Sequence, residues 1–195
     1  YLYPLDDGEI YYVRIGDKGL PVRLLIHGSL GDWTAWKDLI LETDLAQHYQ
    51  LIIPDRPGYQ SSTTIRGGLA IQSSALALLM GQHCQPCIVA GHSFGGALAL
   101  QLAVDYSENV AAVVSLAGTI AGPFQAPKWY NYLWEYPWVQ KFLSARFLKS
   151  NQEMMLLSKD LYALAAKLKE LDQPIFLLQG GKDVLVNPGS PFYLL

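Results

Sequence analysis

Gly91-His92-Ser93-Phe94-Gly95-Gly96 joins two runs of different character. Cys87-Ile88-Val89-Ala90 precedes it, a short continuous apolar run of the kind that forms a buried parallel strand. Ala97-Leu98-Ala99-Leu100-Gln101-Leu102-Ala103-Val104 follows, two turns of good helix formers. A Gly-x-Ser-x-Gly pattern between a strand and a helix is the signature of a nucleophile elbow. The turn forces its serine into a strained backbone conformation, so the neighbours must lack bulk. Gly91 and Gly95 supply that room, and Gly96 lets the helix pack close to the strand. Ser93 is then expected at the carboxyl edge of a sheet, where the positive end of a helix favours developing negative charge. The bland alternative is a glycine-rich turn with an incidental serine.

Strand and helix signals alternate on both sides of this turn. Residues 1–20 read as a β-hairpin, with Asp7-Gly8 as a turn and Ile10-Tyr11-Tyr12-Val13 as a strand. Val22–Ile26 and Leu51-Ile52-Ile53-Pro54 read as apolar strands, and Trp33–Gln47 and Leu69–Gln82 as helices. Asp32 or Thr34 is the candidate cap of the first helix. Val110–Ala117 is a further strand. This rhythm calls for an α/β protein with a mostly parallel, doubly wound sheet and helices on both faces. In such sheets the site lies beyond the carboxyl ends of the strands, where His27, Ser29, Asp55, Ser93 and Thr119 all fall. Residues 124–171 break the rhythm: Trp129, Tyr130, Tyr132, Trp134, Tyr136 and Trp138 crowd a stretch interrupted by Pro127 and Pro137. Helices are expected at Val139–Lys149 and Gln152–Leu171. The aromatics read as ordinary packing, with one or two of them free to line an apolar pocket. Residues 174–179 return to a sheet strand.

Composition narrows the function classes. The 195 residues suffice for one domain, half of them are hydrophobic, and the net charge is −3. That balance excludes a basic nucleic-acid-binding stripe, and no apolar run approaches the roughly 20 residues of a membrane span. Cys84 and Cys87 precede a strand rather than opening a helix, so plain packing cysteines are favoured over a local disulfide. The chain starts at Tyr1 rather than Met; the compartment stays open, the cytoplasm being the favoured reading.

Five stretches, in order, resemble the α/β-hydrolase superfamily: His27-Gly28-Ser29-Leu30-Gly31, Asp55-Arg56-Pro57-Gly58-Tyr59, the Ser93 turn, the aromatic segment after Gly122, and Gln179-Gly180-Gly181-Lys182-Asp183. The resemblance implies an α/β-hydrolase fold formed by residues 1–123 and 172–195, with residues 124–171 inserted as a helical cap over the site. It implies Ser93 as nucleophile and the backbone N–H of Phe94 as one oxyanion donor. The second donor comes from the loop after His27-Gly28, Ser29 first and Leu30 next. Asp183 is the implied acid, against a plain loop aspartate; Asp55 is the runner-up, better read as fixing its loop. Leu30, Trp129 and Trp134 are the candidate substrate contacts. No metal or organic cofactor is implied, and the partner is a small molecule.

The family's order is Ser, Asp, His, yet no histidine follows Asp183. His92 adjoins the nucleophile, His27 belongs to the structural His-Gly, and His48 and His83 end helices at the far edge of the sheet. The expected base and the family's last strand and helix are therefore taken to lie outside these 195 residues, which alone should cleave esters poorly. The favoured function is a serine hydrolase acting on an ester, thioester or similar small substrate with an apolar part. The alternatives are a non-catalytic ligand-binding protein on the same fold, and a carbon–carbon bond hydrolase or acyltransferase.

Overall fold

The computed structural model describes residues 1–63, 67–83 and 86–193. Seven strands form one sheet: β1 (Leu2–Leu5), β2 (Gly8–Ile15), β3 (Val22–Ile26), β4 (Gln50–Pro54), β5 (Cys87–His92), β6 (Val110–Leu116) and β7 (Ile175–Leu178). Their order is β1-β2-β4-β3-β5-β6-β7. The N-terminal hairpin β1–β2 adds antiparallel to β4, and from β4 to β7 every pairing is parallel. β4 is buried along its whole length, as the continuous apolar run Leu51–Ile53 requires of a strand covered on both faces. The α/β reading and the doubly wound sheet hold.

Among the described residues the helices interleave with the strands: α1 (Lys37–Glu42), α2 (Leu45–His48), α3 (Leu69–His83), α4 (Phe94–Asp105), α5 (Trp129–Leu133), α6 (Pro137–Gln140) and α7 (Ala145–Leu168). The single helix expected over Trp33–Gln47 is instead a 3₁₀ turn (Trp33–Trp36) followed by α1 and α2. Asp32 caps the turn by accepting from Thr34 N–H, and Thr43 stops α1. The Thr43 backbone is extended and its hydroxyl donates to the Leu39 carbonyl, the local competition that makes threonine a poor helix interior residue. Conversely, the two helices expected between Val139 and Leu171 are mostly one. Ser144 caps α7 by accepting from Phe147 N–H, and no proline or glycine interrupts the 24 residues that follow. Asn151, which reads as a break, instead spends its side chain on α5 and Glu135. Cys87 is disulfide-bonded rather than a free packing thiol; Cys84 lies outside the described residues.

α7 is fastened at three levels. Its C-terminal half sends Leu157, Leu161 and Leu164 into the same apolar cluster as α3, α4 and the sheet. Asp160 accepts from Leu69 N–H at the start of α3. Nearer its N-terminus, Glu153 enters a fully buried polar hub on the loop after β4. Arg56 donates to both Glu153 oxygens at 2.7 and 3.2 Å. Tyr59 hydroxyl donates to Glu153 at 2.6 Å and Gln72 amide at 2.8 Å. The Arg56 side chain also donates to the His27 carbonyl and the Gln72 carbonyl oxygen, and its guanidinium lies over the rings of Tyr59 and Phe94. Burial, the largest single influence, pushes the Glu153 carboxyl up, but the Arg56 charge, the hydrogen bonds from Arg56 and Tyr59 and the Lys149 charge together hold the pKa below the ordinary value. Burial, then the charge of Arg56, holds the His27 pKa at about 3. The imidazole is therefore neutral, with Nε2 accepting from Arg56 N–H and Nδ1 donating to the Gly28 carbonyl.

Glu153→Leu should destabilise the fold by about 3–5 kcal/mol in chemical denaturation, because it leaves Arg56 buried without its counter-charge. His27 adds a pH signature. Its folded pKa lies below the ordinary 6.5, so its contribution is fully present above 6.5 and is lost as pH falls toward 3. The loss is at most about 1.4 kcal/mol per pH unit. Asp55, whose pKa burial raises, works in the opposite direction closer to the carboxylate range. Denaturation midpoints should therefore drop between about pH 6.5 and pH 5. A flat or rising profile there would contradict a neutral, fully engaged His27.

Candidate active site

β5 ends at His92 and α4 begins at Phe94, so Ser93 alone makes the turn between them. Its backbone has φ 53° and ψ −120°, a region that an L-residue occupies only at a cost of about 1–3 kcal/mol. Surrounding bonds hold it there. Ser93 N–H donates to the Leu116 carbonyl, and the Ser93 carbonyl accepts from Gly96 and Thr119 N–H. The glycines are required by contact. A Cβ on Gly91 would collide with the Gly95 carbonyl, and one on Gly95 would meet the Ile26 carbonyl of β3. The helix can thus start directly against two strands. Phe94, its first residue, has an N–H with no intrahelical acceptor, pointing along the positive end of the helix.

The loop after β3 runs beside this turn. A Cβ on Gly28 would lie 2.9 Å from Ser93 Cβ, which places the His27-Gly28-Ser29 backbone against the serine. Gly31 N–H closes a turn on the Gly28 carbonyl, with Leu30 at φ 58° and about half exposed. The Ser29 hydroxyl donates to Glu153 at 3.3 Å, which links this loop to the buried hub. Asp32, at the far end of the loop, accepts from Arg146 of α7 at 3.2 Å. Asp55 behaves as a loop-fixing residue: its carboxylate accepts from Trp33 N–H at 2.9 Å and is buried.

Asp183 sits in the turn after β7. Its Oδ1 accepts from Leu185 and Val186 N–H at 2.8 and 3.0 Å, and its Oδ2 from Gln179 at 3.0 Å. The N–H groups of Val186 and Leu185 hold its carboxyl below the ordinary value, with smaller help from Gln179 and His92. It is an ionised acceptor at neutral pH. The same bonds would serve a plain loop aspartate.

No hydrogen bond joins Ser93 Oγ to a histidine among the described residues. Both nitrogens of His27 are engaged in the hub. His48 pairs with Asp44 on the surface, and His83 packs edge-on against Tyr12. His92 is exposed, with Nδ1 next to Gly28. Among the described residues no three His, Cys, Asp or Glu side chains gather as a metal-holding group.

The aromatic segment departs from the packing expectation. Trp134 is half-buried, against Tyr130 at 4.8 Å and Phe147 of α7 at 4.6 Å between ring centroids. Trp129, by contrast, is 76 % exposed and touches Tyr130 edge-on. Helices of one turn have a single inner face, and here Tyr130, Asn131 and Trp134 occupy it. No described hydrogen bond or ring contact ties Trp129 or Trp134 to Ser93. A cavity of about 530 Å³ lies between Leu168, Ile175, Leu177 and Tyr193, along β7 and the end of α7. None of the candidate residues lines it.

Sequence reasoning missed Glu153, Gln72 and Tyr59. A carboxylate in an amphipathic helix reads as a solvated face; only the burial of Arg56 reveals that it needs a partner there.

Comparison with known proteins identifies the family. The alpha/beta hydrolase family profile matches residues 24–190. The magnesium-chelatase 30 kDa subunit of Rhodobacter capsulatus is 36% identical over 139 residues, covering 60% of this chain and 48% of that protein. The lipase LipV of Mycobacterium tuberculosis is 34% identical over 122 residues, covering 58% of this chain and 43% of that protein. The chain thus spans about half or less of the length of these curated relatives. Among solved structures, MGS-M2, an alpha/beta hydrolase enzyme from a Medee basin deep-sea metagenome library, superposes with a TM-score of 0.77 at 17% identity. That match covers 100% of this chain and 84% of the other. The chain belongs to the alpha/beta hydrolase family.

Proposed function

We propose that the protein is a serine hydrolase with Ser93 as nucleophile. The observation that carries this reading is the strained Ser93 backbone at the head of α4, held by three backbone hydrogen bonds in a turn that only glycines can flank. Ser93 Oγ attacks the carbonyl of an ester, thioester or similar small substrate. The oxyanion accepts from Phe94 N–H and from the N–H of Ser29, with Leu30 as the neighbouring donor. The leaving group departs, and water clears the acyl-enzyme. Asp183, ionised and fixed by its turn, orients the base. None of the four histidines is hydrogen-bonded to Ser93 Oγ, and an imidazole-like base beside Ser93 and Asp183 is the group that takes the proton. Residues 124–171 act as the cap: α7 reaches the Ser29 loop through Glu153 and the Asp32 end of that loop through Arg146. Leu30, Trp129 and Trp134 are the residues that contact the apolar part of the substrate.

Small-molecule rescue tests the reading. The 195-residue chain should hydrolyse activated short-chain esters slowly. Added imidazole, entering the base's place, should raise the rate in a saturable way that Ser93→Ala removes. Asp183→Asn should weaken that rescue. An equal imidazole response in wild type and Ser93→Ala would sink the nucleophile assignment and favour a ligand-binding protein on the same fold.

A further inference from the structure

Trp129, Tyr132 and Leu133 lie on α5 at intervals of three and four, and Tyr136 follows in the turn before α6; all four turn their side chains to one, solvent side. In this fold that face is the outer one. Trp129 is 76 % exposed, Tyr132 54 %, Leu133 37 % and Tyr136 55 %. Trp138 of α6 and Phe142 just after it are exposed as well, at 62 % and 84 %. The inner face holds Tyr130, Asn131 and Trp134, so the segment is anchored and its outer side is left apolar. Six large exposed apolar side chains within 14 residues are more than a scatter of surface hydrophobics, and such patches mark interaction sites.

The chemistry of the patch selects its partner. Four of the six side chains are Trp or Tyr, whose rings combine an apolar body with a polar tip. Among the described residues no hydrogen bond engages the indole N–H of Trp129 or Trp138, or the hydroxyl of Tyr132 or Tyr136. Such rings settle at the boundary between lipid headgroups and acyl chains. Lys128 and Lys141, both exposed, stand at the two ends of the stretch. Its one carboxylate, Glu135, already accepts from Asn151 of α7 at 2.5 Å. The stretch therefore presents net positive charge on a chain whose overall charge is −3. A second copy brought to this face would set four lysines against only two carboxylates, each already accepting from an Asn151 amide. An anionic surface meets both. Among the described residues no helix is long and apolar enough to cross a membrane, so attachment would be peripheral.

We propose that the outer face of residues 129–142 docks the protein on an anionic lipid bilayer, with the aromatic rings at headgroup depth and the lysines against lipid phosphates. The cap is then the membrane-facing side of the molecule. This inference stands on exposure and charge and does not depend on Ser93 chemistry.

Vesicle co-sedimentation tests it, using phosphatidylcholine vesicles with and without roughly 30 % phosphatidylglycerol, at low and raised salt. The chain should bind the anionic vesicles, more weakly in raised salt, and its tryptophan emission should shift to the blue. Trp138→Ser with Phe142→Ser alters only exposed side chains and should lower the partition constant about tenfold or more. Lys128→Glu with Lys141→Glu should abolish the preference for anionic vesicles. Leu41→Ser, equally exposed but outside the patch, should leave binding unchanged. Absence of binding to anionic vesicles at low salt would overturn the proposal. So would equal loss of binding with Leu41→Ser, or a dimer in light scattering that the Trp138/Phe142 double variant dissolves.

Discussion

A guanidinium with no access to water governs how this molecule is put together. Arg56 cannot give up its charge, and removing it from solvent without compensation would cost several kcal/mol. The fold meets that cost from four directions: the Glu153 carboxylate, the Gln72 amide, the His27 carbonyl and two aromatic faces. Each partner lies on a different element, so satisfying one side chain fixes the loop after β3, the loop after β4, α3 and α7 relative to one another. Glu153 in turn takes the Ser29 hydroxyl. A charge pair that holds α7 in place is thus also a constraint on the backbone beside Ser93.

The Ser93 turn imposes the second constraint. A strained serine persists only where its surroundings overdetermine it, and here β6, the loop after it and the closeness of β3 all do so. The Ser93 side of the site is consequently rigid. The Asp183 side is of a different kind: that carboxylate is held in a half-exposed turn after β7, by N–H groups of its own turn. That contrast is why the elbow carries the functional reading and Asp183 only supports it.

Much of this was legible in the residues. The strand–glycine–helix sequence at 87–104 located the turn, and the alternation of apolar runs located six of the sheet's partners, because backbone periodicity and steric demands are local. What lay outside local rules was misread. Thr43 ended a helix by bonding its own backbone, a competition that apolar spacing does not register. Asn151 continued a helix because α5 supplied its partner across space. Glu153 looked like surface and is core, since its burial depends on an arginine 97 positions away. Trp138 looked like packing and is exposed, because one-turn helices have only one face to bury. In each case the deciding contact was tertiary.

The central claim is that Ser93 is a nucleophile, placed by its turn to attack a carbonyl or an equivalent electrophile. Covalent labelling measures that most directly. The chain would be treated with a fluorophosphonate in the presence of imidazole, digested, and the modified residue located by tandem mass spectrometry. The account predicts a single adduct on the peptide carrying Ser93, on the Oγ of that residue, and none in Ser93→Ala. An adduct confined to another hydroxyl, or none at Ser93 under conditions that label other surface groups, would contradict it.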